Sequence, residues 1–126
     1  RYEYFFFFTM DKDKYTFNLD DVKIPALNYR PDRYKSQLKN PSDVWNISLV
    51  SGNSPERTDH PAQFPEEIIR RIIKTSTNHG DLVLDPFMGS GTTAVCARDL
   101  GRNYVGYETE KDFIEMANTR LSDENK

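Results

Sequence analysis

The spacing of apolar residues along the carboxyl-terminal half of the chain predicts a strand, a helix and a second strand in succession. An apolar run at 82–84, bounded by a glycine and a proline, is typical of a short buried strand. Residues 104–107 repeat this pattern. Between the two runs, small and apolar residues recur at helical spacing, and Gly101 is placed to end that helix. Strand, glycine-containing turn, helix and strand in this order indicate an α/β fold.

Helical spacing also flanks this unit on both sides. Pro65 at the first helical position, followed by two glutamates, predicts a helix start, and the isoleucines after them give the helix one apolar face. This helix is predicted to end at 78–80, where an asparagine and a glycine follow. A last helix, from about Glu110, is expected to bury Phe113, Ile114, Ala117 and Leu121 on one face.

The amino-terminal segment has a different pattern. Residues 2–10 are almost continuously aromatic, which is the composition of a strand buried on both faces. Residues 11–14 predict a turn and residues 15–18 a return strand, so 1–22 are expected to form a β-hairpin of the sheet. A short strand is also predicted at 44–47, with Trp45 as a packing residue. Such a hairpin implies neighbouring strands, because an uncovered aromatic strand is prone to aggregate.

Composition narrows the class of protein. A chain of 126 residues is at most one domain, and it is short for a complete doubly wound sheet. A net charge of -3 and a pI of about 5.4 exclude a protein that wraps nucleic acid over its whole surface. The single Cys96 favours a buried residue in a reducing, cytoplasmic compartment. With two histidines no metal site is predicted, and no apolar run has the length of a membrane span.

Basic residues concentrate in one segment. Between residues 23 and 39 five basic side chains stand against a single acid, and prolines and tyrosines interrupt them. Basic side chains bind phosphates, so Arg30, Arg33 and Lys35 are candidate DNA contacts. The alternative, a solvated surface loop, is equally compatible with this composition. Residues 23–59 are therefore interpreted as a basic, loop-rich segment that is a possible DNA-contacting region.

The turn after the first strand carries the candidate chemistry. Asp85 lies at the carboxyl end of that strand, where α/β sheets bind ligands. Gly89 and Gly91 allow a tight turn, with Thr92 or Thr93 as a cap for the helix. Glu108 ends the second strand about twenty residues later, where an acid accepts hydrogen bonds from ribose hydroxyls. These positions predict a nucleoside-cofactor site in residues 60–126, and the glycine spacing alone fits both a nicotinamide dinucleotide and S-adenosylmethionine.

The sequence around the glycines resembles that of a known protein family. The stretch DPFMGSGTT at 85–93 is similar to motif I of the DNA methyltransferases that modify exocyclic amino groups of adenine or cytosine, and His60–Pro65 is similar to their motif X. The resemblance implies a Rossmann-like, S-adenosylmethionine-dependent methyltransferase fold, here an incomplete portion of the sheet with an amino-terminal β-hairpin. The cofactor-binding residues that it implies, together with the acid at the second strand, are His60, Gln63, Asp85, Phe87, Gly89, Ser90, Gly91, Thr92 and Glu108.

The resemblance also implies what the chain lacks. These enzymes act through an Asp/Asn/Ser-Pro-Pro-aromatic tetrapeptide that holds the flipped base, and this sequence contains no Pro-Pro pair. No catalytic residue is therefore predicted. Cytosine-C5 chemistry is rejected, because Val95 rather than proline precedes Cys96. The motif order is that of the group with its catalytic part first, so the tetrapeptide is expected before Arg1.

The resemblance thus implies the cofactor-binding part of a site-specific DNA methyltransferase of a restriction-modification system, inactive alone. Its expected partners are double-stranded DNA and either the missing catalytic half or another chain, with self-association as a further possibility. An NAD-dependent oxidoreductase fragment remains an alternative, supported by Gly89-x-Gly91-x-x-Ala94. A non-catalytic remnant that binds DNA or senses the cofactor is another alternative.

Overall fold

The structure, a computed structural model, describes residues 2–26 and 37–122. A single 3-10 turn, Leu19–Val22, precedes an antiparallel pair of two-residue strands, β1 (Ile24–Pro25) and β2 (Leu38–Lys39), within these ranges. The remaining elements are α1 (Glu66–Ser76), β3 (Leu82–Asp85), α2 (Thr92–Asp99), β4 (Asn103–Gly106) and α3 (Lys111–Ser122). In the described part of the chain, no helix combines the length and the apolar character needed to cross a membrane.

Strands β3 and β4 form a parallel pair joined by α2. Leu82 is opposite Asn103 and Asp85 is opposite Gly106. Parallel strands need a crossover, and α2 provides it while packing on both strands. Gly101, at a φ of 72°, follows the last residues of α2 and ends the helix as the sequence predicts. The predicted strand–turn–helix–strand unit is therefore confirmed, with the carboxyl ends of both strands at one edge.

The core lies where α1 and α2 meet. Ile73, Cys96 and Ala97 are buried together, and Ile69, Val83 and Leu100 pack around them. Small side chains on α2 let α1 approach closely, and the isoleucine face predicted for α1 provides the other side. Burial raises the pKa of the Cys96 thiol to about 12, so it stays protonated and inert, as expected of a structural cysteine.

The opposite face of the β3–β4 pair is open. Side chains alternate along a strand, so Val83 points to α2 while Leu82 and Leu84 point away. Leu82 is 63% exposed and Leu84 60% exposed. No element among residues 2–26 and 37–122 covers this face. The prediction of a strand was right, and the prediction that it is buried was wrong for Leu82 and Leu84, two of the three residues at 82–84.

The amino-terminal hairpin is a second correction. Within the described residues, 2–18 form no strand ladder, and every side chain from Tyr2 to Met10 is exposed. The predicted pairing survives only as ring contacts, since Phe7 lies 5.7 Å from both Tyr15 and Phe17. A two-stranded hairpin that lacks a third strand or a covered face is marginal in water. The aromatic composition of 2–10 therefore favours a strand, but the described residues provide no neighbouring strand for it to pair with.

The strand predicted at 44–47 is likewise not formed. This segment is held by Trp45, whose ring stacks 6.1 Å from that of Phe5 and lies under the guanidinium of Arg71 at 4.7 Å. The indole nitrogen donates to the Ser42 carbonyl. Trp45 is thus the packing residue that the sequence predicts, but it anchors an irregular segment to α1. One tryptophan with partners on two sides fixes the segment without a ladder.

Helix termini differ from the prediction by a residue or more. Pro65 precedes α1 instead of occupying its first position, and the helix ends at Ser76, before the predicted 78–80. The end comes early because Asp81 accepts from the Asn78 amide and turns the chain toward β3. Neither threonine caps α2, since Gly91 occupies that position in the left-handed region. The hydroxyl of Thr92 has another partner, described below.

Candidate functional site

The candidate site lies at the carboxyl edge of β3 and β4. Asp85 ends β3, and its carboxylate accepts from the Phe87 amide at 3.0 Å, which directs the chain into the turn. The ladder continues past the strands, because the Tyr107 amide donates to the Asp85 carbonyl and the Met88 amide donates to the Tyr107 carbonyl. The turn that follows β3 is therefore bonded directly to the end of β4.

Glu108 closes the edge from the β4 side. One carboxylate oxygen, Oε2, accepts from the Gly89 amide at 2.8 Å, and the other, Oε1, accepts from the Thr109 and Glu110 amides at 2.7 and 3.1 Å. The backbone N–H groups of Glu110 and Thr109, together with that of Gly89, hold the pKa of Glu108 below its usual range. The glycine turn after β3 and the end of β4, which together form the predicted nucleoside site, are thus joined by the ionised carboxylate of Glu108.

The glycines of the turn are required by conformation and by space. Gly89 and Gly91 have φ values of 51° and 79°, in the left-handed region. A Cβ on Gly89 would lie 2.8 Å from Nε2 of His60, and one on Gly91 would lie 2.8 Å from the Cβ of Ala117. The turn is therefore held between a loop residue on one side and α3 on the other, with no room for a side chain at either glycine.

The loop before α1 brings His60 to the turn. Its ring centroid lies 4.4 Å from that of Phe113, and its Nδ1 accepts from the Ala62 amide. Gln63 holds this loop together, since its side-chain oxygen accepts from the amide and hydroxyl of Thr58, each at 2.8 Å, and its nitrogen donates to the Glu56 carbonyl. His60 thus lies at the site, whereas Gln63 is engaged inside the loop. The cofactor contact of Gln63 stays a prediction.

Ser90 and Thr92 are the buried polar residues of the turn, 3% and 6% exposed. Both accept hydrogen bonds from Arg120 of α3. Sequence reasoning did not identify Arg120. The available signal was its position three residues after Ala117, at the edge of the apolar face of α3. Phe87, in contrast, is 88% exposed.

The remaining predicted residues are not placed at the site. Arg30, Arg33 and Lys35 lie outside the described residues. Among those that are described, no group of histidine, cysteine, aspartate and glutamate side chains is arranged to hold a metal ion. The site that the structure assembles therefore consists of Asp85, the glycine turn, His60 and Glu108.

Comparison with known proteins identifies the family. The profile of the N6/N4 DNA methylases, described as DNA methylase, matches residues 1–119. The chain belongs to this family. Among curated methylases, the type II methyltransferase M.HpaI of Haemophilus parainfluenzae is 41% identical over 98% of this chain and 39% of its own length. The DNA adenine methyltransferase YhdJ of Escherichia coli (strain K12) is 38% identical over 95% of this chain and 44% of its own length. The chain spans less than half the length of these methylases.

Solved methylase structures confirm the α/β methyltransferase fold. The crystal structure of the M1.HpyAVI–SAM complex superimposes with a TM-score of 0.61 at 36% identity, over 88% of this chain and 46% of the other. The cytosine-N4-specific PvuII DNA methyltransferase gives a TM-score of 0.60 at 27% identity, over 69% of this chain and 34% of the other. Membership of the methylase family disfavours the oxidoreductase alternative, which depended on the glycine spacing alone.

Proposed function

We propose that this chain is the cofactor-binding part of a DNA methyltransferase that transfers a methyl group from S-adenosylmethionine to an exocyclic amino group of adenine or cytosine. The observation that carries the proposal is the 2.8 Å hydrogen bond from the Gly89 amide to Glu108, at the carboxyl edge of a parallel strand pair. This bond places an ionised acceptor beside Gly89, where the turn has no side chain, in a chain of the DNA methylase family.

The acceptor group of the site fits a nucleoside ligand. Ribose hydroxyls donate hydrogen bonds, and an ionised carboxylate accepts them strongly. A carboxylate has about four acceptor positions, and Oε2 of Glu108 receives one donor among the described residues. The ring of Phe87, 88% exposed, offers an apolar surface to the rest of the ligand. In this proposal Glu108 holds the ribose and the turn holds the methionine end.

Methyl transfer by such an enzyme depends mainly on position. When bound, S-adenosylmethionine supplies a methyl group attached to a positively charged sulfur. Glu108 and Asp85 fix the ligand at the sheet edge, and His60 limits its movement from the loop side. Direct displacement then needs the acceptor nitrogen to be held in line, and proximity and orientation provide most of the rate. The sequence contains no Pro-Pro pair, so we assign the holding of the base to another part of the enzyme.

Calorimetry with S-adenosylhomocysteine and, separately, with NAD tests the proposal. We expect the chain to bind the first and not the second. Glu108→Gln removes the charge while keeping the shape, so a hydrogen bond from the ligand to a charged acceptor is weakened and affinity should fall about tenfold or more. The matched control is Glu115→Gln, an exposed acid on α3, which should not change affinity.

Two results would contradict the assignment. Binding of NAD in place of S-adenosylhomocysteine would return the site to the oxidoreductase alternative. Equal losses in Glu108→Gln and Glu115→Gln would mean that overall charge, and not the Glu108 carboxylate, determines affinity.

We further propose double-stranded DNA as the partner of the complete enzyme, with Arg30, Arg33 and Lys35 as phosphate contacts. The support is the basic composition of this segment and the family to which the chain belongs. Replacing all three by alanine in the complete enzyme should weaken binding to any sequence and reduce the slope of log affinity against log salt by up to about three. A loss confined to one DNA sequence, with an unchanged slope, would refute a phosphate role.

A further inference from the structure

A closed ring of charged side chains ties α1, α2 and α3 together beneath the glycine turn. Arg120 of α3 donates to Glu66 of α1, and Glu66 also accepts from Arg70 one turn later. Arg70 donates to Asp99 of α2 at 2.6 Å, and the other oxygen of Asp99 accepts from Arg98. Arg98 then donates to the carbonyl groups at the end of α3, including that of Arg120, which closes the ring.

Arg120 is the member of the ring that contacts the turn. Its Nη1 donates to the Ser90 carbonyl at 2.8 Å, to the Thr92 hydroxyl at 3.1 Å and to the Ser90 hydroxyl at 3.3 Å. Its Nη2 donates to Glu66 at 3.0 Å. The side chain of Arg120 is 15% exposed and that of Glu66 is 22% exposed. One planar guanidinium therefore joins α1 to the cofactor turn in a largely buried setting.

The turn needs an external support of this kind. Glycine loses more conformational freedom on ordering than any other residue, so a turn with two glycines is not fixed by its own backbone. The five N–H groups of arginine point in fixed directions, and Glu66 orients them by accepting at Nη2. The support extends to the loop before α1, because the Glu66 amide donates to the Glu56 carboxylate at 2.8 Å. Turn, helix α1 and loop are thus linked through Arg120 and Glu66.

We propose that Arg120 is a positioning residue for the cofactor turn, holding the backbone of Ser90 to Thr92 in the conformation that binds the ligand. The ligand itself rests on the proposed function. Arg120 contacts the turn and affects ligand binding through the conformation of the turn, without touching the ligand.

The test compares Arg120→Met with Arg70→Met. Arg70→Met opens the ring between α1 and α2 but leaves every contact to the turn, so it controls for a general loss of stability. Calorimetry with S-adenosylhomocysteine should show a loss of about tenfold or more for Arg120→Met and no measurable loss for Arg70→Met. Hydrogen exchange of the unliganded chain should speed up at the amides of 89–93 in Arg120→Met alone, with the β3 amides unchanged.

The two measurements separate the positioning role from the proposed function. If the parent chain does not bind S-adenosylhomocysteine, the proposed function fails, and hydrogen exchange still decides whether Arg120 holds the turn. Unchanged exchange at 89–93 in a folded Arg120→Met variant, or equal effects in both variants, would overturn the positioning role. If Arg120→Met does not fold, Arg120→Lys replaces it. Lysine keeps the charge but lacks the planar fork, so intermediate affinity and exchange are expected.

Discussion

Two independent constraints meet at the α-carbon of Gly91. Its φ of 79° lies in the region that disfavours a side chain, and Ala117 occupies the space that a Cβ would fill. Gly80 has the first constraint alone, with a φ of 85° and nothing within 4 Å, and Gly52 has neither. These glycines therefore allow conformational strain and packing to be measured separately.

We predict that alanine destabilises the chain most at Gly91 and less at Gly80, and that it does not destabilise the chain at Gly52. Gly52→Ala should leave the free energy of unfolding unchanged or raise it by up to about 1 kcal/mol. Gly80→Ala should cost about 1 to 2 kcal/mol for the left-handed backbone, and Gly91→Ala about 1 to 3 kcal/mol more for overpacking. Urea denaturation gives the three values. Equal costs at Gly80 and Gly91 would mean that Ala117 does not confine the turn.

Single residues of the site differ in how far the sequence predicts them. Asp85 and Glu108 were predictable, because each follows a recognisable strand and strand ends fix the position of a side chain at a sheet edge. Arg120 was not, because its contact with Ser90 spans 30 positions and depends on how α3 crosses the turn. Gln63 is predicted from the motif to contact the ligand; its side-chain amide is hydrogen-bonded within the loop, and the contact with the ligand stays a prediction. Motif resemblance identifies the segment and not the direction of each side chain.

At the scale of the elements, an ion pair between Arg70 and Asp99, 2.6 Å apart, links α1 to α2. Partial burial would raise the pKa of Asp99, but hydrogen bonds from Arg70 and Arg98 outweigh it and hold the pKa below its usual range. Burial also opposes the charge of Arg70, and the hydrogen bonds to Asp99 and Glu66 overcome it, so the pKa of Arg70 is raised. The pair therefore remains ionised over the whole physiological range.

This link predicts a pH dependence with a definite sign. A carboxyl whose pKa is lower in the folded state contributes stability that is fully present above its unfolded pKa, about 4 for aspartate. That stability is lost as pH falls through the folded pKa. Asp99→Asn should cost about 1 kcal/mol at pH 6, and the difference from the parent chain should shrink toward pH 3. The exposed Asp43→Asn is the control, and a difference that grows on acidification would contradict the link.

Whole elements were predictable where one face could be buried by this chain alone. Helices α1, α2 and α3 and the strand pair β3–β4 follow from apolar spacing, since their partners lie within residues 66–122. The amino-terminal hairpin and the strand at 44–47 were predicted but do not form, because a strand needs hydrogen-bonded neighbours. A strand-like composition indicates that such neighbours are needed, and the described residues do not provide them. The exposed faces of Leu82 and Leu84 have the same cause.

At the scale of the whole molecule, apolar surface predicts association. Tyr2, Phe6 and Phe8 are 87%, 77% and 85% exposed, and an open apolar groove separates the amino-terminal segment from α1. We predict that the chain pairs with another polypeptide or with itself, and that alone it does not methylate DNA. Light scattering gives the mass, and transfer of labelled methyl groups to unmethylated genomic DNA gives the activity.

A matched pair of variants sharpens this prediction. Phe6→Lys with Phe8→Lys should reduce self-association, because charge on this exposed aromatic surface opposes its burial against a partner. Met10→Lys, at a fully exposed position beside the segment, should not. A monomer of the parent chain with robust methyl transfer would overturn both the prediction of pairing and the assignment of the acceptor base to another part of the enzyme.

The crossover from β3 through α2 to β4 brings most of the proposed methyl-donor site together without help from distant segments of the chain. Asp85, the glycine turn and Glu108 come from one short, continuous stretch of chain, so their contacts close at low entropic cost. A site built from such a stretch does not depend on the order in which the remaining segments of the polypeptide are joined. A gene of this kind can therefore be circularly permuted, or divided between two reading frames, while Asp85, the glycine turn and Glu108 are inherited together.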